Sequence, residues 1–139
     1  MQLTSFTDYS LRVLIFLAVQ KKSSIPVIAK TYGISKNHIV KVVHNLGKLG
    51  YIKTTQGRGG GISLAMPPNK INLKKLVVQT ENFYIVECFQ PQGQCKIASV
   101  CKLKNILYEA KNNFLSTLNN YSLQDIIQNE NEIKLSLEQ

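Results

Sequence analysis

The sequence lacks several features that mark other classes of protein. No run of about 18 or more apolar residues occurs, so no membrane-spanning helix is expected. The N-terminal segment MQLTSFTDYS has neither the basic nor the apolar region of a secretory signal, which predicts a cytoplasmic protein. The glycine-rich run QGRGGG lacks the Gly-Lys-Ser/Thr ending of a phosphate-binding loop, which argues against nucleotide binding. No general base is placed next to a nucleophile, so the protein is not expected to be an enzyme.

Acidic residues are scarce in the first part of the chain. Residues 1–80 carry 12 of the 17 lysines and arginines but only one acidic residue, Asp8. Residues 81–139 carry five basic and seven acidic residues, so the formal net charge of +9 belongs to the first part. A basic module of this kind is typical of proteins that bind nucleic acid, although a solvated basic surface is the alternative.

The basic part of the chain has the pattern of a helix-turn-helix. Apolar residues at helical spacing predict a first helix, with Thr7 as its N-cap and Asp8 in its first turn. Pro26 suits the first turn of a short second helix, Gly33 supplies a turn, and Ser35 is expected to cap a third helix. A short helix, a glycine turn and a capped helix form a helix-turn-helix, whose last helix reads the major groove of DNA.

The outward face of the third helix is predicted to contact DNA. Its side chains are polar or basic and able to reach base edges and phosphates: Ser35, Lys36, Asn37, His38, Lys41 and His44. Arg12, on the first helix, is assigned to the same interface.

A β-hairpin is predicted directly after the third helix. The runs YIKTT and GISLA are β-prone, and QGRGGG lies between them as a turn. Arg58 at the tip is predicted to enter a minor groove, while Gly59 and Gly60 let the backbone approach phosphates. A surface loop with an incidental arginine is the alternative. In this position the hairpin is typical of the wing of a winged helix.

A long apolar stripe follows between residues 103 and 118, after a fourth helix that is capped by Asn72. The stripe could pack on its own domain or on a second copy of the chain. Helix-turn-helix proteins usually bind two half-sites as dimers, which favours the second copy.

These elements predict a mainly α (α+β) fold, a winged helix-turn-helix with a long C-terminal dimerisation helix. The DNA-binding domain is expected at residues 1–80 and a cysteine loop at residues 81–101. The dimerisation helix and a short C-terminal helix are expected at residues 102–128, and a polar tail that frays at residues 129–139.

All cysteines lie in the predicted loop, at Cys88, Cys95 and Cys101. Their odd number argues against a closed disulfide framework. Their spacing lacks the close pairs of structural zinc sites, and three cysteines are one fewer than a ferredoxin-like carrier uses. The thiolates could hold an iron–sulfur cluster with a fourth ligand from outside the loop, whereas idle thiols are the simpler alternative.

In combination, these motifs resemble the iron–sulfur winged-helix family of transcriptional regulators. The resemblance rests on MQLTSFTDYSLRVLIFLA, ISKNHIVKVVHNL, GRGGG and the loop ending CKLK, and it extends over nearly the whole chain. It implies a homodimer with one iron–sulfur cluster per subunit, [4Fe–4S] in preference to [2Fe–2S]. The implied cluster ligands are Cys88, Cys95, Cys101 and Asp8, the last reaching across from the partner subunit.

Within that family, the resemblance is to the repressors that sense nitric oxide. Members that regulate iron–sulfur biogenesis have a histidine three residues after the last cysteine, where this sequence has Lys104. The implied function is therefore a DNA-binding transcriptional repressor that senses nitric oxide through its cluster and releases operator DNA when the cluster is nitrosylated. The alternatives are a regulator of iron–sulfur biogenesis or cysteine metabolism from the same family, and a cluster-bearing redox carrier.

Overall fold

The computed structural model describes all 139 residues and is mainly helical, as predicted. Its helices are α1 (Ser5–Gln20), α2 (Ile25–Tyr32), α3 (Lys36–Lys48), α4 (Leu73–Thr80), α5 (Lys102–Asn119), α6 (Leu123–Ile126) and α7 (Glu130–Leu137). Its strands are β1 (Ile52–Thr55) and β2 (Gly61–Leu64), and single 3-10 turns occupy Pro68–Lys70 and Glu87–Phe89. None of the helices combines the length and hydropathy needed to cross a lipid bilayer.

Helix α1 lies at the centre of the hydrophobic core. It contacts α3, α4, α6, α7 and β2, so almost every side of its apolar second half is covered. Its fully or nearly fully buried apolar side chains are Val13, Leu14, Phe16, Leu17, Ala18 and Val19. The buried face of α3 has the predicted helical spacing and consists of Ile39, Val42, Val43 and Leu46. Helix α3 is therefore packed directly on the central helix α1, and α2 packs on α3.

The helix-turn-helix forms through local capping interactions. Gly33 has a φ of +66°, a left-handed conformation that glycine adopts without a Cβ penalty. The Ile34 amide donates to the Ala29 carbonyl at 3.0 Å, which closes the turn after α2. The Ser35 hydroxyl then accepts from the His38 amide at 3.3 Å, so Ser35 caps α3 as predicted.

Helix α1 begins three residues earlier than the sequence analysis predicts. Thr4 is the N-cap, because its hydroxyl accepts from the Thr7 amide at 3.3 Å. Thr7 is inside the helix and fully buried, so its prediction as the cap is wrong. Asp8 remains in the first turn.

The polar tail forms a helix, so the prediction that it frays is wrong. Ile133 and Leu137 lie four residues apart, on one face of α7, and pack against the core beside α1. Glu130 at the start of α7 lies 3.8 Å from Lys21 and 3.3 Å from Lys134. Ile133 and Leu137 thus hold α7 on the core, while the third apolar residue of the helix, Leu135, is 63% exposed.

Helix α5 leaves much of its apolar stripe uncovered. It contacts α4, but none of its residues is buried. Leu103 and Ile106 are 58% and 60% exposed, which is unusual for large apolar side chains that share a helix face. The chain by itself therefore does not cover this stripe.

Candidate DNA-binding surface and cysteine loop

The predicted DNA-reading side chains lie together on the exposed side of α3. The opposite side of the helix is buried against α1 and α2, which fixes the direction in which the polar side faces. The exposed residues include all those predicted from the sequence: Ser35, Lys36, Asn37, His38, Lys41 and His44. No acidic side chain forms an ion pair with these lysines, so their charge is available to phosphates.

The wing is a tight antiparallel hairpin that needs glycine at its tip. Strands β1 and β2 pair from Ile52 opposite Leu64 to Thr55 opposite Gly61. A Cβ atom on Gly60 would lie 2.2 Å from the Thr55 carbonyl oxygen, closer than real Cβ atoms approach backbone. Arg58 is exposed at the tip, between two glycines with positive φ. The glycines thus shape the hairpin that presents Arg58.

A connection between the wing and α1 was missed by the sequence analysis. Ser23, just after α1, exchanges two backbone hydrogen bonds with Ile62 of β2, at 3.0 and 2.8 Å. The Lys22 ammonium also donates to the Gly59 carbonyl oxygen at the tip. The segment after α1 is therefore joined to the wing by a single β-bridge.

Arg12 is paired with Asp8, the other predicted site residue on α1. Its Nε and Nη2 atoms donate to Asp8 Oδ1 and Oδ2 at 3.0 and 2.9 Å. This hydrogen bonding raises the pKa of Arg12 against the opposing effect of burial. The guanidinium carbon also lies 5.9 Å from the ring centres of both Tyr9 and Tyr32, within cation–π range. Both oxygens of Asp8 are therefore occupied within its own subunit.

Aromatic side chains connect this ion pair to the helix-turn-helix. The Tyr9 ring centre is 6.0 Å from that of His38, on the exposed side of α3. The Tyr32 hydroxyl donates to the Arg12 carbonyl at 2.9 Å, and burial raises the pKa of Tyr32 to about 12. Tyr32 therefore remains a neutral donor that joins the end of α2 to α1.

The cysteine loop supplies donors that suit an iron–sulfur cluster. Cys88, Cys95 and Cys101 are half-buried and free of disulfide bonds, and cysteine thiolates are the usual protein ligands of such clusters. The loop folds back at Gly93, where a Cβ atom would lie 2.2 Å from the Glu87 carbonyl oxygen. No three His, Cys, Asp or Glu side chains lie close enough to hold one metal ion. The donor chemistry therefore fits the cluster, whereas the loop must rearrange to enclose it.

Positive charge lies next to the loop. A groove of about 290 Å³ beside Cys88 is lined by Lys104 and Lys111 of α5, which have no acidic partner. The Lys111 ammonium is 4.4 Å from the ring centre of Tyr108, which holds it over an aromatic face. Such ammonium groups offset the negative charge of thiolate ligands.

Comparison with known proteins identifies the class of regulator. The family model described as "Rrf2: Iron-dependent Transcriptional regulator" matches residues 3–129. The HTH-type transcriptional regulator NsrR of Bacillus subtilis (strain 168) is 51% identical over 138 residues, 96% of this chain and 94% of that protein. The protein of the same name from Halalkalibacterium halodurans is 49% identical over 142 residues, 99% of this chain and 97% of that protein.

Solved structures show the same fold at low sequence identity. T. potens IscR has a TM-score of 0.73 and 19% identity, over 93% of this chain and 88% of that chain. The oxidized form of Staphylococcus aureus CymR has a TM-score of 0.74 and 20% identity, over 92% of this chain and 97% of that chain. These matches confirm the predicted winged-helix fold.

The family match and the relatives together confirm three predictions from the sequence. These are the resemblance to the iron–sulfur winged-helix regulators, the function as a transcriptional regulator, and the expectation that the protein is not an enzyme. The chain belongs to the Rrf2 family of transcriptional regulators.

Proposed function

We propose that this protein is a cytoplasmic, homodimeric repressor that releases operator DNA in response to nitric oxide. The observation that carries the proposal is the 51% identity, over 96% of the chain, to a regulator named NsrR. The sequence resemblance to nitric-oxide-sensing repressors, the exposed basic side of α3 and the three free thiols support it.

In this proposal, α3 enters the major groove and the wing contacts the adjacent minor groove. Lys36, Asn37, His38 and Lys41 are in reach of base edges and phosphates, because they project from the first turns of α3. Arg58 follows the minor groove at the exposed tip of the hairpin. A second copy of the chain covers the apolar stripe of α5 and brings a second α3 to the other half-site.

Replacing Lys41 by methionine is expected to lower operator affinity about tenfold and to make binding less dependent on salt. Each phosphate contact that is lost reduces the slope of log affinity against log salt by about 0.9. Fluorescence anisotropy with a duplex selected from a random-sequence pool measures both quantities. The control is Lys75→Met, on the exposed side of α4. Equal affinities and slopes for wild type and Lys41→Met would remove Lys41 from the interface.

The cysteine loop holds the sensor in this proposal. Cys88, Cys95 and Cys101 ligate an iron–sulfur cluster, and Asp8 of the partner subunit supplies the fourth ligand. A [4Fe–4S] cluster is favoured, because three cysteines and one carboxylate can each take one corner iron. When bound, the cluster supplies iron that nitric oxide attacks.

Ligation by Asp8 competes with its ion pair to Arg12. Both carboxylate oxygens accept from Arg12, so ligation of iron across the dimer withdraws negative charge from the carboxylate and weakens these hydrogen bonds. The freed guanidinium lies between Tyr9 and Tyr32, close to the start of α3, where it can bind a DNA phosphate. Loss of ligation returns Asp8 to Arg12 and removes that contact.

Replacing Asp8 by asparagine is expected to increase the operator affinity of the cluster-free protein severalfold. The neutral amide binds Arg12 less strongly than the carboxylate does, so Arg12 becomes available to DNA. An Arg12→Met variant should bind more weakly and should abolish the effect of Asp8→Asn in the double variant. Anisotropy on all four proteins measures this coupling. Unchanged affinity in cluster-free Asp8→Asn would contradict the competition.

An anaerobic titration with nitric oxide tests the proposed function as a whole. The visible absorption of the cluster-loaded protein and its binding to the selected duplex are followed together. Bleaching of the cluster bands within a few equivalents, with release of the duplex, is the expected result. Release on depletion of iron but not on exposure to nitric oxide favours a regulator of iron–sulfur biogenesis. A coloured protein that binds no duplex favours the redox carrier.

A further inference from the structure

Glu81 connects the beginning of the cysteine loop to the beginning of α1. It is the C-cap of α4 and the first residue of the loop. Its Oε2 atom accepts from the Thr4 amide at 2.8 Å and from the Thr4 hydroxyl at 3.0 Å. It also lies 2.9 Å from the Thr7 hydroxyl, which comes from the same turn of α1. One carboxylate oxygen thus gathers three donors that are more than 70 residues away in sequence.

The Thr7 hydroxyl is the buried member of this network. Thr7 is completely inaccessible to solvent, although most threonines are exposed. Its hydroxyl has one proton and several acceptors in range, including the Thr80 carbonyl oxygen at 3.1 Å. The carboxylate of Glu81 is charged and closer, so it is the strongest of these acceptors.

The network holds Glu81 in its charged form. Burial opposes ionisation of this carboxyl, but the hydrogen bonds from Thr4 and Thr7 outweigh that effect and lower its pKa. A negative charge at the N-terminus of α1 also interacts favourably with the helix dipole. A cap that only stabilises α1 would make the same contacts. A role for Glu81 beyond capping therefore depends on where Asp8 lies relative to this network.

Asp8 donates the first backbone hydrogen bond of α1, and its acceptor is a residue that this network holds in place. The Asp8 amide donates to the Thr4 carbonyl at 3.0 Å, and Thr4 is the residue that Glu81 binds twice. Resting on the proposed function, the geometry points to Glu81 as a positioning residue, which transmits the position of one subunit's cysteine loop to that subunit's Asp8. Rearrangement of a loop around its own cluster then shifts the carboxylate that ligates the cluster of the other subunit.

Two substitutions test this role from opposite sides of the network. Glu81→Gln removes the charge with little change of shape, and Thr7→Val removes the buried hydroxyl. Glu138→Gln, at the exposed end of α7, is the matched charge control. The measured quantity is the ratio of operator affinities of the cluster-loaded and cluster-free proteins, with the visible circular dichroism of the cluster as a second readout.

Both test variants are expected to lower this ratio about tenfold, within the usual range of coupling between sites. Their cluster-free affinities should stay within about threefold of wild type, because α3 and the wing are unchanged. The circular dichroism of the cluster should change in both variants. Thr7→Ser keeps the buried hydroxyl, so it should show the wild-type ratio and spectrum. The control should match wild type in every measurement.

Three results would overturn the inference. Test variants with lower melting temperatures but an unchanged ratio and spectrum would make Glu81 a helix cap and nothing more. If Thr7→Val does not fold, Thr7→Ser and Glu81→Gln decide, and an unchanged ratio in Glu81→Gln is then sufficient to reject the role. A wild-type protein with the same affinity in both states would reject the proposed function and this inference together.

Discussion

Replacing Cys101 by serine is expected to give a folded protein without a cluster. Serine preserves the shape of the side chain but ligates iron–sulfur clusters far less well than a thiolate. Cys101 is the N-cap residue of α5, and its side chain makes no capping hydrogen bond. Serine is a preferred N-cap, so the substitution should stabilise α5 by up to about 1 kcal/mol. Loss of the ligand is thereby separated from structural damage.

Visible absorption after anaerobic reconstitution measures the cluster, and thermal unfolding measures stability. Cluster absorption should fall to the baseline, while the melting temperature stays equal or rises by a few degrees. The matched control is Ser99→Ala, at an exposed position of the same loop. Cys88→Ser and Cys95→Ser should also be colourless. A Cys101→Ser protein with the wild-type spectrum and nitric oxide response would remove Cys101 from the ligand set.

Replacing Gly60 by alanine is expected to lower operator affinity about a hundredfold. The new Cβ atom would meet the backbone oxygens of Thr55 and Gly57 at 2.2 and 2.8 Å, so the tip must open and displace Arg58. A loss of about 1.4 kcal/mol of binding free energy at each half-site lowers affinity tenfold, and the two half-sites of a dimer together give a hundredfold loss. The tip is exposed and outside the core, so stability should change far less than affinity.

Gly47→Ala is the matched control for this substitution. Its Cβ atom would meet nothing closer than the Ile52 carbonyl oxygen at 3.9 Å, an ordinary contact near the end of α3. Alanine in a helix should stabilise the protein by up to about 1 kcal/mol and leave affinity unchanged. Anisotropy with the selected duplex, alongside thermal unfolding, compares the two variants. Wild-type affinity in Gly60→Ala would exclude the wing from DNA binding.

Local signals were sufficient to predict the helix-turn-helix. Ser35, Gly33 and the apolar spacing of α3 act within a few residues of one another, and each lies where the sequence predicts. The start of α1 was harder to predict, because Thr4 and Thr7 are both threonines and are equally suitable as N-cap residues. Glu81 distinguishes them by binding both hydroxyls from 74 or more residues away. No local pattern contains that information.

The sequence analysis identified exposed polar residues for the candidate site but none of the contacts between them. The exposed residues of α3 follow from helical periodicity, and the Asp8–Arg12 pair has the i, i+4 spacing that could have predicted it. The pairing of Ser23 with Ile62 has no comparable signal, since a single bridge needs no strand propensity. Likewise, Ile133 and Leu137 stabilise α7 by packing against the core, a contact that the local sequence of the tail does not indicate.

Because Ser23 pairs with the wing, α1 connects Asp8 to the wing mechanically. Asp8 is near one end of this helix, and the segment that holds β2 follows the other. Its 16 residues span about 24 Å, so a tilt of about five degrees moves the far end by about 2 Å. Because α3 also packs on α1, the same tilt moves α3 and the wing together. In the proposed complex with DNA, a small movement at Asp8 would therefore change the contacts in the major groove and in the minor groove at once.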